Sequence, residues 1–145
     1  MNTRVFALVY GIVFLAVGIA GFIPGITQPG GPSPEGSPPV HDVHLLLGIF
    51  PVNAAHNLVH VLFGLGGLIA SRDLRLSWFY ACITGAVYLI LFFMGLASGL
   101  KTMFGMAPLY GADVWLHLVL AVIAIAFAVT GRGKQRQPLP PDATR

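Results

Sequence analysis

The sequence predicts an all-α membrane protein: a four-transmembrane-helix bundle of two parallel-repeat helical hairpins, with both chain ends on the cytoplasmic side. Three observations carry this. Hydrophobic residues make up 56% of the 145 residues and charged ones only 9%, against about 25% charged in soluble domains. A soluble fold of this size has too little interior for so much apolar surface, whereas lipid is itself an apolar solvent. The apolar residues also gather into four stretches, and the basic residues fall almost entirely on one side of them.

The first stretch, residues 5–23, is nearly uninterrupted. Arg4 and the apolar run after it suggest a signal peptide, but Gly25-Ile26-Thr27 is a poor cleavage site, so an uncleaved helix is expected. The second, 54–70, follows Asn53, a good helix-capping residue. The third, 78–100, carries no charge, and the fourth, 114–130, carries only His117. Asp113 is expected to open the fourth helix and Gly131 to close it. At 1.5 Å per residue the four run roughly 25 to 35 Å, against a hydrocarbon core of about 30 Å.

Orientation follows from the cations. Arg4, Arg72, Arg75, Arg132, Lys134, Arg136 and Arg145 lie on the side of the chain ends, and only Lys101 lies opposite. Seven against one places both ends in the cytoplasm by the positive-inside rule. The net charge of +3 has no patch with interleaved aromatics, which argues against nucleic acid. The outer loop, 24–53, is rich in proline and glycine and is expected to be irregular, with residues 45–50 at the interface or folded back on the bundle. The tail, 132–145, is basic and then proline-rich, suited to anionic lipid heads. Cys82, the single cysteine, permits no internal disulfide and reads as a packing residue.

A shift of 57 positions aligns Gly48, Pro51, Ala55 and His60 with Gly105, Pro108, Ala112 and His117, and sets His56 against Asp113. At another offset Gly11, Val13, Phe14, Leu15 and Gly21 match Gly85, Val87, Tyr88, Leu89 and Gly95. Each unit is then a helix, an outer loop ending in Gly-x-x-Pro, and a helix with histidine in its second turn. Two-helix units repeat in parallel about an axis along the membrane normal.

The run Pro51-Val52-Asn53-Ala54-Ala55-His56-Asn57-Leu58-Val59-His60, with Gly111-Ala112-Asp113-Val114-Trp115-Leu116-His117 later, resembles a bacterial family of four-helix membrane proteins catalogued as a domain of unknown function. The resemblance covers about residues 5–131. It implies a multi-pass protein of the bacterial inner membrane and supplies no mechanism.

His56 and His60 are four apart and share one helix face, as do Asp113 and His117. At matched depth, three imidazoles and a carboxylate suit Zn²⁺, Cu²⁺ or Fe²⁺. His60 and His117 are also candidates to ligate a haem iron from two helices. The competing reading is structural: Asn53 and Asp113 cap helices while the histidines hydrogen-bond across the bundle. His41 and His44 on the outer loop, with Met103 and Met106 on the third loop, permit a separate copper site. Gly11, Gly18, Gly21, Gly64, Gly67, Gly85 and Gly95 allow close helix contact, within the bundle or with a partner. Trp78, Tyr110 and Trp115 read as interfacial anchors.

No phosphate-binding glycine loop, paired carboxylates or serine–histidine arrangement is present in the sequence. The expected role is therefore a non-enzymatic accessory or scaffolding subunit, set among membrane lipids and packed against a larger membrane complex or its own copies. Its cofactor content is expected to be none. The alternative is a metal- or haem-binding protein using the His/Asp cluster near the outer face.

Overall fold

A computed structural model describes residues 2–135, the last four by backbone alone. The chain runs α1 (Thr3–Ala20), β1 (Thr27–Pro29), β2 (His44–Leu46), β3 (Phe50–Val52), α2 (Ala54–Ala70), α3 (Leu74–Leu96), single 3₁₀ turns at Ser98–Leu100 and Met103–Gly105, and α4 (Ala112–Gln135). Three helices, Thr3–Ala20, Leu74–Leu96 and the Ala112–Gly131 part of α4, are long and apolar enough to cross a membrane. The fourth, α2, is apolar but has 17 residues.

Side-chain caps set three helix starts. Asn2, Asn53 and Asp73 accept from the backbone N–H of Val5, His56 and Leu76. The Asp73 cap draws the third helix back to Leu74, four residues before the expected start, and it ends at Leu96 instead of running to residue 100. The first helix likewise lies a little earlier than expected, over Thr3–Ala20. The fourth does not stop at Gly131 but continues to Gln135. Gly131 instead faces α1, where an added Cβ would crowd Thr3. Helical backbone thus takes in the first four residues of the basic tail; 136–145 lie outside the described residues.

Residues 24–53 contain more order than expected. Their β1, β2 and β3 form a three-stranded antiparallel sheet in chain order, His44 pairing with Pro29 and with Val52. Leu47 (φ 54°) and Gly48 (φ 75°), both left-handed, turn β2 into β3. Only glycine takes that conformation without a Cβ penalty, so the apolar run 45–50 conceals its turn at Leu47.

The helices pack as two hairpins, α1 on α2 and α3 on α4. An added Cβ on Gly11 would meet only α2 backbone, Leu68 N at 2.8 Å and Gly64 O at 2.9 Å. Gly64, Gly67 and Gly18 lie against the same seam, while Gly85 faces Ile125 and Gly95 faces Val114. The helical glycines are thus occupied within the chain. Between the hairpins runs a column of rings: Phe6 contacts Tyr10, Tyr10 contacts Phe14, and Phe14 stacks on Tyr88 at 5.4 Å and 4°. The opposite surfaces are apolar and open, as along α2, where Leu58, Leu62, Leu65 and Ile69 form one exposed stripe.

At one end of the bundle Arg4 Nε donates to Ser71 O, and Trp78 Nε1 donates to Ala128 O. Trp78 is therefore tied to α4, while Trp115 stands exposed as an anchor would. At the other end the outer loop meets the third loop: Ser37 Oγ donates to Ser98 O. Both helix-bearing chain ends lie at the Arg4 end.

Candidate functional site

Above the ring column, at the loop end, the histidines close the core. Phe14 touches His60 edge-on, with centroids 5.6 Å apart, and Tyr88 touches His117 at 5.0 Å. His56 and His60 stack at 4.6 Å with planes 3° apart, and His117 stands 6.4 Å from His56. All three are buried, as are Asp113, Asn53 and Asn57. The four candidates His56, His60, Asp113 and His117 are thus brought to one place. Among the described residues, however, no three His, Cys, Asp or Glu side chains are placed to hold a metal ion.

Each Nδ1 turns toward an oxygen. His56 Nδ1 lies 3.3 Å from Pro108 O, and His60 Nδ1 lies 3.0 Å from His56 O. A carbonyl oxygen accepts only, so both Nδ1 atoms carry the proton and the neutral rings keep their lone pair on Nε2. His117 Nδ1 faces Asp113 Oδ2 at 3.6 Å, beyond hydrogen-bonding distance, and both atoms are buried without a hydrogen-bond partner. Asp113 sits in the first turn of α4, yet Oδ2 makes no capping bond. Of the two expected caps, only Asn53 is seen in that role.

Asn53 also does something the sequence reading missed. Its Oδ1 caps α2, while its Nδ2 donates to Met106 O at 2.9 Å. With the His56–Pro108 contact, this fastens the third loop across the start of α2. That loop carries three consecutive left-handed residues, Met103 (φ 46°), Phe104 (φ 61°) and Gly105 (φ 88°). Non-glycine residues rarely adopt this conformation, and surrounding structure has to hold them there.

The loop, α2, α3 and α4 enclose a cavity of about 150 Å³ lined by His56, His60, His117, Tyr88, Met103 and Met106 among others. The two methionines therefore join the helix histidines and not the outer-loop pair. His44 lies on a different cavity, about 370 Å³, with Asp42, Asn53 and Asn57. His41 is exposed. The grouping of His41 and His44 with Met103 and Met106 is not what the fold produces.

A family model described as Domain of unknown function (DUF4383) matches residues 4–130. No curated protein and no solved structure matches the chain.

Proposed function

The chain belongs to the DUF4383 family, and from that premise we propose a four-pass protein of the bacterial inner membrane that binds a transition-metal ion at its outer end. The proposed crossing uses all four helices. For α2, 17 residues give about 25 Å, a few ångströms short of the hydrocarbon core. Local thinning accommodates such a mismatch at modest cost. The exposed Leu58, Leu62, Leu65 and Ile69 are the face that lipid would cover. With the Arg4 end in the cytoplasm, the histidine cavity opens toward the outer leaflet.

One observation carries the metal reading: all three imidazoles turn Nδ1 to an oxygen and line one cavity. Metal-ligating histidines nearly always engage a carbonyl or carboxylate through the nitrogen that does not bind the ion. Buried ionisable side chains in membrane segments are costly and mark functional sites. The haem alternative through His60 and His117 has less support, since the cavity is half the size of the smallest ordinary cofactor pockets, about 300 Å³.

The test is anaerobic titration of the detergent-purified protein with Cu(I) against a chromogenic chelator and, separately, with Co(II). One ion per chain is expected for at least one metal, lost in the double variant His60→Ala/His117→Ala. Binding of neither metal would overturn the reading.

A second reading keeps the accessory subunit. Leu47, Ile49 and Phe104 expose more than half of their surface on the outer loops, and two of them sit in left-handed backbone. An apolar collar held out in this way suits a protein partner or another copy in the membrane. Co-purification from gently solubilised membranes is expected on this reading, and recovery as a bare monomer counts against it.

A further inference from the structure

Beside the histidine cavity lies a larger one, and we propose that it binds a small organic amine in its ammonium form. This cavity, about 370 Å³, lies where the end of α1 and the start of α2 meet the small sheet. It shares no lining residue with the histidine cavity, so the proposal goes beyond the metal reading and does not rest on it. Its volume is that of an ordinary small-molecule site, mostly apolar with a few placed polar groups.

The site is built on one amide. Asn53 and Asn57 stand four residues apart and both line the cavity. Both polar atoms of the Asn53 side chain are engaged, Oδ1 by the His56 N–H and Nδ2 by the Met106 carbonyl. Asn57 is only 3% exposed, and its backbone N–H donates to Asn53 O. Among the described residues its side-chain amide has no hydrogen-bond partner. Gly21 makes the room for it, since a Cβ there would collide with the carboxamide. Burying an amide without a partner is costly, and this one is set on the wall of a cavity that a ligand can fill.

Charge selects the ligand. Asp42 lines the exposed rim of the cavity. No lysine or arginine lines it or occurs anywhere in residues 24–53, so a cation is favoured and an anion is not. His44 Nδ1 lies 3.1 Å from Asp42 O. A carbonyl only accepts, so Nδ1 carries a proton, and in the neutral ring Nε2 is an acceptor. The Asp42 carboxylate, His44 Nε2 and Asn57 Oδ1 together answer the three N–H donors of an ammonium group. Phe22 adds an aromatic ring, whose face attracts cations. Pro24, Pro29 and Ala54 give an apolar wall for the body of the molecule. The ammonium head of a lipid is the poorer fit, because its phosphate would find no cation here.

The experiment is calorimetric titration of the detergent-purified full chain with three probes of one shape: phenethylammonium, 2-phenylethanol and phenylacetate. Phenethylammonium is expected to bind, the alcohol about 10-fold more weakly, and the anion more weakly still. Asp42→Asn should remove the preference for amine over alcohol. Asn57→Leu, similar in shape, should weaken amine binding about 10-fold yet leave thermal stability unchanged or raised, because no hydrogen bond within the chain is lost. Equal binding of the three probes, or no binding of phenethylammonium, would overturn the proposal. So would an Asn57→Leu chain that loses stability and keeps its amine affinity, since the amide would then serve the fold alone. In phosphatidylglycerol nanodiscs, added phosphatidylethanolamine should leave the affinity unchanged; competition by that lipid would give the cavity to a headgroup and overturn the assignment to a free amine. None of these outcomes bears on the metal titration, which reads the other cavity.

Discussion

The two halves of the molecule reach the same architecture by different packing. In the first, α1 and α2 approach backbone to backbone, with Gly11, Gly64 and Gly67 leaving no space for a Cβ. In the second, α3 and α4 meet largely through side chains: the nearest atom to a Cβ on Gly85 is Ile125 Cγ1, and on Gly95 it is Val114 Cγ2. Their loop ends nevertheless share several features. Leu47 and Gly48 are left-handed, as are Phe104 and Gly105. Pro51 and Pro108 are both fully buried, and so are Val52 and Leu109. The lesson is that the helix seam diverges freely while the loop end is held, and the loop end is where the histidines lie. Conserving that geometry across the two halves brings α2 and α4 to the cavity at one depth.

The largest effect should come from closing the tighter seam. Gly11→Ala places a methyl against α2 backbone on every side, and overpacking of this kind costs about 1–3 kcal/mol. Gly85→Ala meets the Cγ1 of Ile125 first, a side-chain atom and not backbone, and should cost less than Gly11→Ala. Unfolding titrations in mixed micelles would compare them, and equal losses would erase the distinction between the halves.

Next come the two helix starts. Asn53→Ala removes a cap and orphans the Met106 carbonyl, for a loss of about 1–2 kcal/mol. Asp113→Asn breaks no hydrogen bond of Oδ2, so its loss should be smaller than that of Asn53→Ala. A large loss from Asp113→Asn would mean that the carboxylate holds α4 in place instead of standing behind His117.

The smallest effect concerns the paired turns. Leu47→Gly and Phe104→Gly each relieve a left-handed residue and should gain up to about 1 kcal/mol in detergent. A loss at Phe104 alone would show that its ring, and not its backbone, shapes the third loop.

Much of this was legible in the sequence, for identifiable reasons. Four apolar runs, an Asn before the second and a 57-residue echo locate the helices and bring His56, His60, Asp113 and His117 together, because helix periodicity and depth are local properties. Helix ends were less legible. Gly131 looked like a terminator because glycine is a common one, but close approach to Thr3 also asks for glycine. The small sheet escaped notice because Leu47 occupies a turn position that sequence patterns assign to glycine or asparagine. Met103 and Met106 were grouped with His41 and His44 because all four lie in loops on one side. Only the left-handed fold of residues 103–105 and the Asn53 clamp, neither visible as a pattern, move them to the helix histidines.

The proposed arrangement in the membrane depends on the cavity end facing outward and the arginine end facing the cytoplasm, with α2 crossing despite its length. The direct measurement is labelling of intact spheroplasts by a membrane-impermeant maleimide, using single cysteines at Glu35→Cys and Ala143→Cys in a Cys82→Ser background. Glu35 is exposed on the outer loop, and Ala143 stands near the end of the sequence, outside the described residues. The account predicts labelling at position 35 in intact cells and at position 143 only after permeabilisation. Labelling of position 143 from outside, or protection of position 35, would contradict it.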